Sequence, residues 1–488
     1  MLFNSFEFAL FLPIVFLLYW FVTQSSLKIQ NMLIVLASYL FYGWWDWRFL
    51  GLLFTSSLAD FLIGKKLDHC QDIILRKRLL ILSMLINLGI LCFFKYFNFF
   101  SDSLTALCNG VGISLSPVTL NIILPVGISF YTFQTMSYTI DIYRRQMSST
   151  NDIIAFFAFV SFFPQLVAGP IERARRLLPQ FLTPRIFEYS KISDGLRQIC
   201  WGLFKKLVIA DNCAVVVDII FENYGSLNGS SLLLGAFFFA FQIYGDFSGY
   251  SDIAIGTAKL LGIELMQNFA TPYFSRNIGE FWRRWHISLS TWFRDYVYIP
   301  LGGSRGHKPQ QFFNIIVTFT LSGLWHGANW TFIAWGFING LYYMPLMLFE
   351  QRQKFKNSII AEGHLLPSVR EIFQMATTFF LTLITWVFFR CETITDAVYY
   401  LNAMLSATLF RHPAASLSGY GIKFKILYCL VAIGILVTIE WLQRGRAHGL
   451  MIERTSLPLR LSLYTGVIML ILFFRNTGQN LDFIYFQF

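Results

Sequence analysis

Two histidines stand out from the seven in this 488-residue chain by their neighbours. His286 lies in Phe281-Trp-Arg-Arg-Trp-His-Ile-Ser-Leu-Ser-Thr-Trp-Phe-Arg294, and His326 in Phe319-Thr-Leu-Ser-Gly-Leu-Trp-His-Gly-Ala-Asn-Trp330. His69, His307, His364, His412 and His448 fall in or beside polar loops. Burial among apolar groups lowers an imidazole pKa and keeps the ring neutral. A neutral imidazole can take a proton from a hydroxyl. Drawn as a helix, the second segment puts Ser322 at i−4 and Asn329 at i+3 of His326, both within reach of the ring. Gly323 and Gly327 would clear space beside it. Most lone histidines in apolar bundles simply pack, so the setting has to carry the argument.

The first segment, 281–303, reads as one amphipathic helix at a cytoplasmic boundary. Trp282, Trp285, Leu289 and Trp292 share a face; Arg283, His286, Ser290 and Arg294 share a neighbouring strip. An interfacial anchor would place Trp at the headgroups and Arg on phospholipid. A cationic rim for a phosphate-bearing donor is the sharper reading, because arginine forks match phosphate. The charge pattern sets His286 near the cytoplasmic face and His326 deeper or nearer the outside.

The elements that position these residues are membrane spans. The chain is 56% hydrophobic and 13% charged, with a mean hydropathy of +0.55. Soluble domains carry about twice that charge. A disordered chain, a collagen and a soluble multidomain enzyme are excluded. Spans are expected near 6–23, 29–44, 47–64, 79–99, 119–142, 152–169, 194–221, 231–262, 311–325, 328–349, 371–390, 425–443 and 461–475. Basic clusters at 65–78, 144–145, 276–308, 352–356 and 444–454 alternate with loops lacking Lys and Arg, and basic loops face the cytoplasm. The alternation closes if 152–169 is re-entrant, which puts both termini outside. The net charge of +11 is then mainly a topology signal rather than a nucleic-acid one. The first span has no basic residue before it and no cleavage-like site after it, so an uncleaved span is expected. The seven cysteines show no C-x-x-C spacing and are expected to fill packing space. No metal-ligand spacing occurs, and a hydrolase-style serine nucleophile is not expected. One membrane domain, 1–488, is expected, with its core at about 119–350.

Three further stretches depart from plain lipid-facing spans. One is Leu124 to Asp141, rich in Ser, Thr and Gln. Another is Phe162-Phe-Pro-Gln-Leu-Val-Ala-Gly-Pro-Ile-Glu-Arg173, where proline opposes a regular helix. The third is Phe241 to Asp252, carrying Asp246 and Asp252. Intramembrane carboxylates mark a path or tie helices together. A path would suit a transporter, although no internal repeat supports one.

These motifs together resemble the membrane-bound O-acyltransferase superfamily, in its alginate O-acetyltransferase branch. The matching stretches include Met1-Leu-Phe-Asn-Ser-Phe-Glu-Phe, Tyr39-Leu-Phe-Tyr-Gly-Trp-Trp, Pro125 to Gln134, Ala168 to Arg173, Tyr244-Gly-Asp-Phe-Ser-Gly-Tyr, Trp282 to Ser290, Leu301-Gly-Gly-Ser-Arg305, Ser322 to Ala328 and Phe483-Ile-Tyr-Phe-Gln-Phe488. The resemblance implies an all-α, ring-like bundle of about a dozen helices around a central tunnel. It implies His326 as the catalytic histidine and His286 as the second, orienting the thioester or stabilising an oxyanion. Cytosolic acetyl-CoA would be the donor, with no metal. Arg283, Arg284, Arg294 and Arg305 would hold its phosphates, with Ser290, Trp325 and Asn329 nearby. The implied acceptor is an extracytoplasmic polysaccharide, reached from the bacterial inner membrane through a periplasmic SGNH-hydrolase-like transferase. Peptidoglycan acetylation and D-alanyl transfer to teichoic acid are the nearest rival activities.

Overall fold

The computed structural model describes residues 1–167, 169–351, 354–356, 358–453, 455–475 and 483–484. The expectations that rest on Ala168, Arg352, Arg454 and 485–488 lie outside them. The described residues are helical, with no strand among them. They form two compact units, Met1–Leu196 with Ala254–Met266, and Arg197–Ile253 with Gln267–Phe488.

The first unit holds α1 (Phe6–Leu17), α2 (Leu27–Asp46), α3 (Leu50–His69), α4 (Ile73–Leu91), α5 (Phe97–Gly110), α6 (Ile128–Tyr143), α7 (Ile153–Ser161), α8 (Phe163–Leu166) and α9 (Ala174–Leu182). The stretch expected to span from 119 becomes helical only at Ile128. Gly127 starts that helix with φ +75°, and a Cβ there would lie 2.6 Å from the Leu166 carbonyl oxygen. Only glycine combines that backbone conformation with that approach. The polar residues of α6 are glue: the Gln134 amide donates to the Phe159 carbonyl at 2.7 Å. Thr135 donates to Asn87, which with Ser83 donates to the buried Asp60. The 152–169 stretch breaks at Phe162, between α7 and α8, one residue before the Phe163-Pro164 pair that opens α8.

Next in the chain come α10 (Tyr189–Leu203), α11 (Asp211–Glu222) and α12 (Gly229–Leu260). The remainder lies in the second unit: α13 (Ile278–Arg284), α14 (Ile287–Phe293), α15 (Lys308–His326), α16 (Trp330–Leu348), α17 (Val369–Arg390), α18 (Ile394–Met404), α19 (Ala414–Leu417), α20 (Lys423–Leu442) and α21 (Leu457–Phe474). Among the described residues, six helical runs are long and apolar enough to cross a membrane: Leu27–His69, Ile73–Gly110, Gly229–Leu260, Val369–Arg390, Lys423–Leu442 and Leu457–Phe474.

In the second unit α15 packs along α16, and glycines bring the pair together. A Cβ on Gly323 would lie 2.2 Å from the Phe332 carbonyl oxygen and 3.1 Å from the Gly336 Cα. One on Gly336 would lie 2.3 Å from the Phe319 carbonyl oxygen. Small residues let helix backbones approach closely where hydrophobic burial between spans drives little. The glycines thus serve the helix crossing as well as the ring beside them.

The expected continuous helix over 281–303 does not form. It divides into α13, α14 and a π-turn at Arg294–Tyr298, with a break at Trp285–His286. His286 has φ +42°, in the left-handed region, which ends the helical register. The strip of Arg283, His286, Ser290 and Arg294 therefore does not exist as a helix face.

Candidate active site

The second unit brings the two histidines together. Their ring centroids are 6.3 Å apart. The expected difference in depth is corrected, because α15 ends at His326 beside the loop that carries His286. His326 is 3% exposed and His286 1%. The His326 ring packs on Trp325 at 5.0 Å, edge-on to Trp335 at 5.1 Å, and on Phe389 at 5.3 Å. Trp386 stacks on Trp335 behind it at 5.9 Å. His286 meets Phe247 at 4.6 Å, Trp325 at 6.0 Å and Phe269 at 6.4 Å.

His286 is held by a polar network. Its Nδ1 lies 3.1 Å from Oδ1 of Asn268. The same oxygen accepts from the Ser288 backbone N–H at 3.2 Å and its hydroxyl at 2.9 Å. The Asn268 amide donates to Ser251 at 3.1 Å. Two backbone bonds zip the segments: Ile287 N–H to the Asn268 carbonyl and Ala270 N–H to the Arg284 carbonyl. His286 lies between α13 and α14, outside the membrane-spanning helices. Burial pushes its pKa from 6.5 down to about 3, so the ring is neutral. Its Nε2, and the buried indole N–H groups of Trp282 and Trp335, have no hydrogen-bond partner among the described residues. Buried polar atoms left in that state are costly and point to a ligand or a catalytic role.

The other expected site residues scatter. Trp325 is beside both imidazoles. Asn329 does not reach His326; the helix has ended, and Asn329 caps α16 through Thr331 N–H while donating to the Glu392 carbonyl. Ser290 donates to the Trp285 carbonyl. Arg284 pairs with Glu280 at 2.8 Å, a carboxylate it shares with Arg276 at 2.9 Å. Arg283 donates to the Lys354 carbonyl. Arg294 is exposed and pairs with Asp295, and Arg305 is exposed. The four arginines thus separate into an inner pair bound to protein and an outer pair facing outward. Among the described residues, no three His, Cys, Asp or Glu side chains gather as metal ligands would.

Asn268, Phe247, Trp335, Trp386 and Phe389 escaped sequence reasoning. Asn268 sits in a short polar loop with no motif around it. Trp335 had one signal, its place beside Gly336 in a helix following the His326 turn. Lys205 and Lys206 were missed inside an expected span. They neutralise the carboxylates that suggested a path: Lys205 pairs with Asp252 at 2.5 Å, and Lys206 with Asp246 at 2.7 Å and Asp211 at 2.9 Å. Phe269 also lines a cleft of about 30 Å³ with Lys205, Tyr244, Thr271, Glu440 and Arg446.

Residues 80–384, which include both histidines, match the model of the membrane-bound O-acyltransferase family. The chain belongs to that family. It is a multi-pass membrane O-acyltransferase. The probable alginate O-acetylase AlgI of Azotobacter vinelandii is 41% identical over 411 residues, 83% of this chain and 78% of that protein. The peptidoglycan O-acetyltransferase of Helicobacter pylori is 36% identical over 436 residues, 83% and 80% of the two chains. A teichoic acid D-alanyltransferase of Bacillus subtilis is 29% identical over 240 residues, 46% of this chain and 59% of that protein. In this acyltransferase the family match and the imidazole pair fall on the same residues.

Proposed function

We propose that the chain transfers acetyl groups from cytosolic acetyl-CoA toward the hydroxyls of an extracytoplasmic, alginate-like polysaccharide. The observation that carries the chemistry is the pair of buried imidazoles 6.3 Å apart in an aromatic pocket. At that separation both rings can touch one reacting group. His326 takes the proton of the acceptor hydroxyl as its oxygen attacks the thioester carbonyl. The tetrahedral adduct collapses, the C–S bond breaks, and the leaving thiolate recovers the proton. The unpartnered N–H groups of Trp282 and Trp335 are the donors at hand for the developing oxyanion. Arg294 and Arg305, being exposed, suit the donor's phosphates better than Arg283 or Arg284, which are engaged with protein.

The 41% identical relative supports an acetyl group and an alginate-like polysaccharide; peptidoglycan is the second reading, supported by the 36% identical one. A periplasmic SGNH-hydrolase-like transferase would carry the acetyl group onward, and the bacterial inner membrane, with both termini outside, is the matching location. The test uses inside-out membrane vesicles supplied with labelled acetyl-CoA. Ester-linked label appearing in the lumen, and absent with His326→Ala, supports the reading. Equal luminal label from both proteins at equal expression overturns it.

A further inference from the structure

Asn268 does more than pack. Its Oδ1 is fixed as the oxygen because it accepts from the backbone N–H of Ser288, which can only donate. Its Nδ2 is then the nitrogen and donates to Ser251. An oxygen cannot donate, and the Ser288 hydroxyl, 3.4 Å from His286 Nδ1, lies closer to Oδ1 at 2.9 Å, so the proton of the 3.1 Å contact is placed on Nδ1. The ring is neutral, so Nε2 bears the lone pair. That atom is buried and has no partner among the described residues. Asn268 and Ser288 are 0% exposed, Ser251 is 2% and His286 1%.

We propose that Asn268 is a positioning residue that locks His286 in the Nδ1–H tautomer, so that Nε2 turns a lone pair rather than an N–H toward the reacting centre. This rests on the acyl-transfer reading and changes one part of it. A neutral His286 so held has no N–H to offer the substrate carbonyl, so the oxyanion is left to the indole N–H groups, and the Nε2 lone pair favours the imidazolium that forms on His326 as it takes the alcohol's one proton. The backbone supports the lock. His286 adopts φ +42° and Thr271 φ +46°, and both flank the two-bond zipper between 268–270 and 284–287. Left-handed backbone at non-glycine residues persists only where surrounding contacts enforce it. The titratable group facing His286 is His326, from α15; Phe247, Phe269 and Trp325 pack on the ring from α12, the 261–277 loop and α15.

The test has two arms. In the first, the full-length protein labelled with 15N-histidine is examined by solid-state NMR in lipid, with His286 assigned by its loss in His286→Gln. A protonated Nδ1 and bare Nε2 are expected; the opposite tautomer overturns the proposal, whatever the enzyme's substrate. In the second, thiol release from acetyl-CoA with an added alcohol is followed against pH. Asn268→Leu should lower kcat by about ten- to a hundredfold with KM for the thioester unchanged. Asn268→Asp still accepts from Nδ1–H, so it should restore activity. Its charge favours the protonated ring, which moves the acid limb of the profile to higher pH. A folded Asn268→Leu enzyme with unchanged kcat, or an Asn268→Asp profile that does not move, overturns the proposal. Absence of thiol release by the wild type would count against the acyl-transfer reading, while the first arm still decides the tautomer.

Discussion

Replacing Gly323 with alanine should separate His326 from its aromatic seat without touching either histidine. The added Cβ would sit 2.2 Å from the backbone oxygen of Phe332. A carbon–oxygen contact settles at about 3.3 Å, so α15 must withdraw from α16 by about 1 Å. The obstruction is backbone, with no side chain to rotate aside. His326 lies three residues on, at the end of the displaced helix, whereas Trp335 belongs to α16. A 1 Å misplacement can lower a rate by about 100-fold, and overpacking costs about 1–3 kcal/mol of stability. The assay is thiol release by purified Gly323→Ala in detergent, with thermal unfolding measured on the same sample. Gly434→Ala is the control, because a Cβ there meets nothing within 4 Å. A Gly323→Ala enzyme with wild-type kcat and melting temperature would refute the reasoning.

The ion pairs give a second expectation. Lys205→Met leaves Asp252 as an uncompensated buried charge, which typically costs about 3–5 kcal/mol; adding Asp252→Leu should recover most of the lost melting temperature. Among the arginines, Arg284→Ala should lower the melting temperature by breaking the Glu280 cluster. Arg294→Ala with Arg305→Ala should leave it unchanged and raise the KM for acetyl-CoA about fivefold, as losing exposed charge pairs worth about 1 kcal/mol would. Titration calorimetry with coenzyme A reads the same difference directly. Deleting the gene should remove ester-linked acetate from the cell's exopolysaccharide, measured by mild alkaline release; retention of acetate there with loss from peptidoglycan would favour the second acceptor.

The membrane character and the two histidines were legible because they depend on composition and local pattern. A low charge content forces helices, and aromatic and glycine neighbours single out His286 and His326. What stayed hidden depended on backbone geometry that periodicity cannot carry. The amphipathic strip over 281–303 presumed a continuous helix, but His286 takes a left-handed conformation enforced by the zipper to 268–270. Asn329 was placed on the face of His326, yet Gly327 ends the helix first and frees Asn329 to cap the next. Asn268 and Trp335 come from distant segments, and their roles follow from the tertiary meeting alone. Lys205 and Lys206 lie inside the expected span 194–221, and only their tertiary contacts show that they neutralise Asp252 and Asp246.

The central claim is that the imidazole pair, with His326 as base, performs acyl transfer. Its most direct measurement is simultaneous detection of free thiol and new ester from acetyl-CoA and a sugar alcohol, using purified wild-type protein and His326→Ala. Equal amounts of thiol and ester from the wild type, with both lost in the variant, are predicted. Undiminished ester formation by a folded His326→Ala protein would contradict the account.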